Sequence, residues 1–244
     1  MTATSISPAV PSPASAAPPR IGHAIAVGAA GFAWCSLALG LSTIGAMNAA
    51  GSSVILTGTF FYGGIVQMIA GFFALAAGTT FVAAFLTAYG AFWLGYTAIE
   101  FYVAPHIAAQ VIAAGAGTGA SPQALAGQAH HAVVQALGVF LLAWLVVTVI
   151  FTIASLGTNA VTLTAFCLLD LTIVLLAIAY LGATSVGVPV DSALHAAGWA
   201  EIVLAAVAFY VVLAELANDT LRRTVFPLFP LTRFSAPAVA APGA

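Results

Sequence analysis

Residues 60–96, FFYGGIVQMIAGFFALAAGTTFVAAFLTAYGAFWLGY, read as two membrane-crossing helices joined by a tight polar break at Gly78–Thr79–Thr80. In the first helix Gly64, Gln67 and Gly71 recur at helical spacing, so one face is nearly bare backbone carrying a single amide. In the second, Phe81, Phe85, Tyr89, Phe92 and Tyr96 step by three and four residues and make an aromatic stripe along one side. Small residues let helix backbones approach in lipid, where no hydrophobic effect drives helices together. A glutamine in hydrocarbon needs water or a partner across helices. The two patterns together point to a narrow, aromatic-lined passage.

The composition agrees. The chain has 244 residues, 63% hydrophobic and 4% charged, without a lysine; soluble domains carry about 25% charged residues. At about 20 residues per crossing, the apolar length accommodates roughly six helices and short loops. The six acids and four arginines offer no basic stripe for a phosphate backbone, which excludes nucleic acid as a partner. Cys35 and Cys167 lie in apolar runs and read as two buried thiols. No zinc pattern, P-loop, dinucleotide fingerprint or nucleophile motif appears, so neither catalysis, nor a metal, nor a cofactor is expected.

Residues 1–22 are rich in Pro, Ala and Ser and read as a disordered tail, not as a signal peptide. Six spans follow within a membrane domain over 23–217: roughly 23–48, 53–76, 80–104, 131–156, 160–182 and 193–217. Residues 105–130, with four glycines and two prolines, read as the longest connection, a flexible cap outside the membrane. Residues 218–244 read as a cytoplasmic C-terminal tail. Arg20 precedes the first span and Arg222, Arg223 and Arg233 follow the last, so both termini are expected in the cytoplasm. The fold class is therefore an all-α membrane protein of six transmembrane helices, multi-pass in the plasma or inner membrane.

Three further polar groups within the spans carry the functional reading. Asp170 stands near the centre of the fifth span, where a carboxylate costs about 2.5–3.5 kcal/mol and needs a partner, a wet pore or a proton. It reads as a pore-facing acid or as an acid bonded to a neighbouring helix. Gln67 reads as a pore-side or helix-bridging amide. Glu215, near the inner end of the sixth span, reads as a cytoplasmic-side acid able to pair with the nearby arginines. Glu201 and Glu100 read as acids near the outer ends of their spans, and the histidines as wetted helix-end residues.

FYGGIVQMIAG followed by GTTF and TAYGAFW resembles the core signature of the acetate uptake transporter family. ALGVFLLAW at 136–144, LHAAGW at 194–199 and VLAELANDTLRRTVFP at 212–227 extend the likeness over roughly residues 23–230. The resemblance implies a homohexamer of six-helix protomers with one pathway each. It also implies a constriction at Phe32, Tyr89 and Leu169, where a tyrosine hydroxyl can bond a passing carboxylate. HAIAVG at 23–28 stands where the family has an NPAPLG-like motif, and Asp170 stands where its permeases carry a neutral residue. The implied function is transport of small monocarboxylates, acetate and in addition succinate, with a proton, through a channel or carrier embedded in lipid. The alternative is a membrane structural or sensory relative that keeps the fold without transport. Because Leu169 and Asp170 point about 100° apart, Asp170 is expected at the flank of the pore or against a neighbouring helix. There it would tune the pH dependence of uptake.

Overall fold

The computed structural model describes residues 22–231; the chain before and after, including Arg20, Arg233 and most of the two expected tails, lies outside them. Six long apolar helices account for the described chain: α1 (Ala24–Thr43), α2 (Ile55–Ala76), α3 (Thr80–Gly115), α4 (Pro122–Ser155), α5 (Ala160–Leu181) and α6 (Asp191–Leu221). They close a ring in the order α1, α2, α3, α4, α5, α6 and back to α1. An even number of crossings puts the start of α1 and the end of α6 on one face, called here the terminal face. The all-α, six-span fold expected from the sequence is the fold observed.

Glycines bring the backbones together where the sequence placed them. A Cβ on Gly71 would stand 2.8 Å from Thr87 N, and one on Gly90 3.0 Å from Met68 N, so α2 and α3 touch backbone to backbone. A Cβ on Gly40 would stand 3.0 Å from Gly198 O, which fixes α1 against α6 in the same way. The break between α2 and α3 turns on Gly78, whose φ of 77° suits glycine.

Two stretches and one helix type differ from expectation. α1 ends at Thr43, not Asn48, because Gly45 turns left-handed (φ 82°) and Asn48 caps a separate turn, Ala49–Ser52, accepting from Gly51 N at 2.7 Å. One turn into α2 the helix widens to π over Thr59–Val66, and there the buried Thr59 hydroxyl meets that of Thr97 on α3 at 2.7 Å. The supposed cap at 105–130 is a helical hairpin instead: α3 runs on to Gly115 and α4 begins at Pro122, leaving only 116–121 as a turn. Alanine-rich sequence favours helix, and Ser121–Pro122 is a capped helix start, Ser121 Oγ accepting from Ala124 N at 3.2 Å. A second π-helical stretch, Ile99–Val103, takes up the register just before Pro105, which has no N–H to give.

At the terminal face the chain folds back beneath the α4–α5 turn. Asn218 accepts from Val225 N and Phe226 N and donates to Phe226 O, all within 3.0 Å. Ala160 N and Leu231 N then bond Phe229 O and Thr158 O, so residues 222–231 are tied to the helix bundle. Cys35 is buried as expected, whereas Cys167 is exposed on the outer side of α5, since its helical phase turns it away from the ring.

Candidate functional site

Inside the ring, the aromatic stripe of α3 faces α1, α4 and α5. Tyr89 lies at its centre, 2% exposed, with ring neighbours Phe32 at 5.5 Å, Phe151 at 5.9 Å, Trp144 at 6.1 Å and Phe166 at 6.3 Å. Two cavities lie on either side of this layer, and the residues that line both are Phe32, Tyr89 and Leu169. The three therefore form a partition, with one void on its terminal side. That void is walled by apolar groups apart from Tyr89 and Thr162. It shares Ile25 and Thr162 with a wide mouth at the terminal face, where His23, Glu215, Thr79 and Asn159 stand. The other void, towards the α3–α4 hairpin, carries Ser36, Trp93, Tyr96, Thr172, Tyr180 and Glu201. An apolar and aromatic partition between two voids excludes water by dewetting.

The Tyr89 hydroxyl is committed away from the path. It donates to Thr148 Oγ1 at 2.8 Å, and Thr148 in turn donates to Trp144 O at 2.9 Å. In this structure its proton is thus spent on α4, and Tyr89 presents its ring at the partition.

The other singled-out residues fall at distinct places. Asp170 turns towards α4, with Oδ2 2.7 Å from Thr152 Oγ1 and Oδ1 buried without a partner among the described residues. Gln67 is fully buried in α2; its amide oxygen and nitrogen make no hydrogen bond among the described residues, and it does not line the three cavities. Glu215 lines the mouth and pairs with His23 Nδ1 at 3.1 Å. Its expected arginine partner Arg222 meets Asp219 instead, 3.3 Å away, because α6 ends in a left-handed turn at that residue. Glu201, read as an acid near a span end, is 4% exposed and lines the cavity on the hairpin side. Its signal was legible: Ala197, Gly198, Glu201, Leu204, Ala205 and Ala208 make one buried, mostly small-residue face of α6.

A ring of six apolar helices around three cavities in line, divided by one partition, defines a multi-pass membrane protein with an interrupted internal path. The profile of the GPR1/FUN34/yaaH family matches residues 7–233, and the chain belongs to that family. It is 29% identical to the succinate-acetate/proton symporter SatP of Escherichia coli, over 86% of this chain and 96% of that protein. It is 26% identical to acetate permease A of Emericella nidulans, over 85% of this chain, and the match spans 65% of that longer protein. The solved structure of the bacterial acetate channel SatP superposes with a TM-score of 0.67 at 29% identity, covering 86% of this chain and 99% of that one.

Proposed function

We propose that the protein carries short-chain carboxylates, the monocarboxylate acetate first and the dicarboxylate succinate as a further substrate, across the plasma or inner membrane together with a proton. The observation that carries this reading is the partition: two cavities on one axis meet at Phe32, Tyr89 and Leu169 alone. Kinship with an acetate permease and an acetate channel supports the substrate class. In this reading the path runs through each protomer of a homohexamer embedded in lipid, with the termini, the tail over 1–22 and the segment 218–244 in the cytoplasm. His23 and Glu215 then guard the cytoplasmic mouth, and Asp170 tunes the partition from its flank. The charge of a monocarboxylate is the obstacle to crossing such an apolar partition, and a proton taken up with it removes that obstacle.

Uptake of labelled acetate into proteoliposomes, with and without an inward proton gradient, tests the proposal. The expected result is flux that the gradient accelerates. A correctly folded oligomer with no flux in either condition overturns transport and favours a structural or sensory protein.

A further inference from the structure

We propose that the cavity on the hairpin side of the partition is a binding site that holds a short-chain carboxylic acid against Glu201, the two carboxyl groups sharing one proton. The proposal rests on the transport reading above and adds a residue and a site to it. Three polar atoms around this cavity have no partner among the described residues: Ser36 Oγ of α1, Trp93 Nε1 of α3 and Glu201 Oε2 of α6. Their residues are 1%, 2% and 4% exposed. Buried polar atoms are almost always hydrogen-bonded. Three such atoms belong to side chains of three helices that line one void, and a polar ligand in it would give them partners once the side chains turn to meet it.

Their chemistry selects the ligand. An indole N–H only donates, so the ligand must offer an acceptor. A cation would answer Glu201 and leave Trp93 without a partner. A carboxyl group answers both, one oxygen accepting from Trp93 and Ser36 with its two lone pairs and the other facing Glu201. Two bare carboxylates in contact repel, and one proton between them turns the repulsion into a hydrogen bond. The titratable groups that face Glu201 are Cys35 of α1, Tyr96 of α3 and Tyr180 of α5, with Glu100 of α3 facing both tyrosines. From α4 the cavity receives the apolar Leu137, Phe140 and Leu141. None of these groups brings a positive charge, so the proton has to come with the substrate or on Glu201. Phe92, Phe140 and Leu141 are left to contact the alkyl chain.

The test is calorimetric titration of acetate into the purified full-length oligomer between pH 5 and pH 8, with Glu201→Gln, Glu201→Leu, Trp93→Phe and Ser36→Ala beside the wild type. The wild-type affinity is expected to fall with rising pH by about tenfold or more as the shared proton is lost. Glu201→Gln, which always offers a donor, should bind with an affinity that varies little with pH. Trp93→Phe and Ser36→Ala should each weaken binding by about fivefold, the loss of one hydrogen bond, and keep the wild-type pH dependence. These two serve as the test should Glu201→Leu fail to fold. A Glu201→Gln protein with the wild-type pH dependence, or Trp93 and Ser36 variants of unchanged affinity, overturns the site and leaves water as the occupant. A wild type that carries acetate in vesicles while either of those results holds sinks this inference alone. A wild type that neither binds nor carries the acid sinks the transport reading with it.

Discussion

Leu169 is the one aliphatic member of the partition and half-buried, so it can be shortened without dismantling the aromatic layer. Leu169→Ala is expected to raise acetate flux severalfold by letting water into the partition, at a stability cost of about 2 kcal/mol, the low end for a buried leucine. Unchanged flux in a folded Leu169→Ala oligomer would move the barrier elsewhere. Asp170 has a different logic, which hydrogen-bond accounting exposes. Thr152 Oγ1 lies 2.7 Å from Asp170 Oδ2 and 3.0 Å from Thr148 O, yet a hydroxyl has one proton to give. With a proton on Asp170 both contacts are satisfied, Asp170 donating to Thr152 and Thr152 to the Thr148 carbonyl. Thr148 is also the residue that holds Tyr89, so the charge state of Asp170 reaches the partition through two threonines. Asp170→Asn preserves a donor towards Thr152 and should keep the fold while flattening the pH dependence of the maximal rate of uptake. A variant with the wild-type rate profile makes Asp170 a packing residue. Gln67 is the simplest of the three. A buried amide without partners costs about 1–3 kcal/mol, so Gln67→Met should raise the melting temperature of the oligomer, and a fall would mean that the amide is satisfied by something bound.

Helices α2 and α3 are where the sequence spoke most plainly. The glycine face and the aromatic stripe are both periodic, and each met the surface it predicted: Gly71 the facing backbone of α3, Tyr89 and its neighbours the interior; Gly90, which no pattern announced, meets the backbone of α2 from the other side. Gly90→Leu should therefore cost about 1–3 kcal/mol or more through overpacking, read as a loss of oligomer in detergent on heating, whereas Gly95→Leu, whose nearest neighbour would be Phe140 at 3.9 Å, should be mild. Equal effects would remove the close-packing argument. The misreadings have a common physical source. Glycines and prolines at 105–130 suggested a loop, but Pro122 occupies a first-turn position, where its missing N–H is not needed, the π-helical stretch Ile99–Val103 leads into Pro105 without ending α3, and alanines carry the helix on either side of the turn. The π-helical stretches leave no mark in composition, since a widened turn changes register and not residue type. Glu201 was misjudged because distance along a span was read where helical phase decided its burial. The threonines that receive Tyr89 and Asp170 are on α4, and no pattern within one helix announces a bond to the next.

At the scale of the whole molecule, the outward surface is a second piece of information. Phe60, Phe61, Phe72 and Phe73 of α2 are between 41% and 62% exposed in the single chain, and Trp34 of α1 lies beside them at 38%. Such a surface must meet lipid or another copy. Orientation rests on charge. The arginines among the described residues, Arg222 and Arg223, stand at the terminal face, while the α3–α4 hairpin on the opposite face has neither Arg nor Lys. If positive charge is retained in the cytoplasm, the terminal face is expected to point inward and the turn 116–121 outward. The arrangement can be read directly by labelling with a membrane-impermeant maleimide, after Cys167→Ser removes the exposed native thiol. In that background Ala120→Cys should label in intact cells, whereas Thr224→Cys should label only once the membrane is opened. The reverse pattern would put both termini outside. It would also turn the His23–Glu215 mouth towards the medium and the Glu201 cavity towards the cytoplasm, and so exchange the side from which the shared proton must arrive.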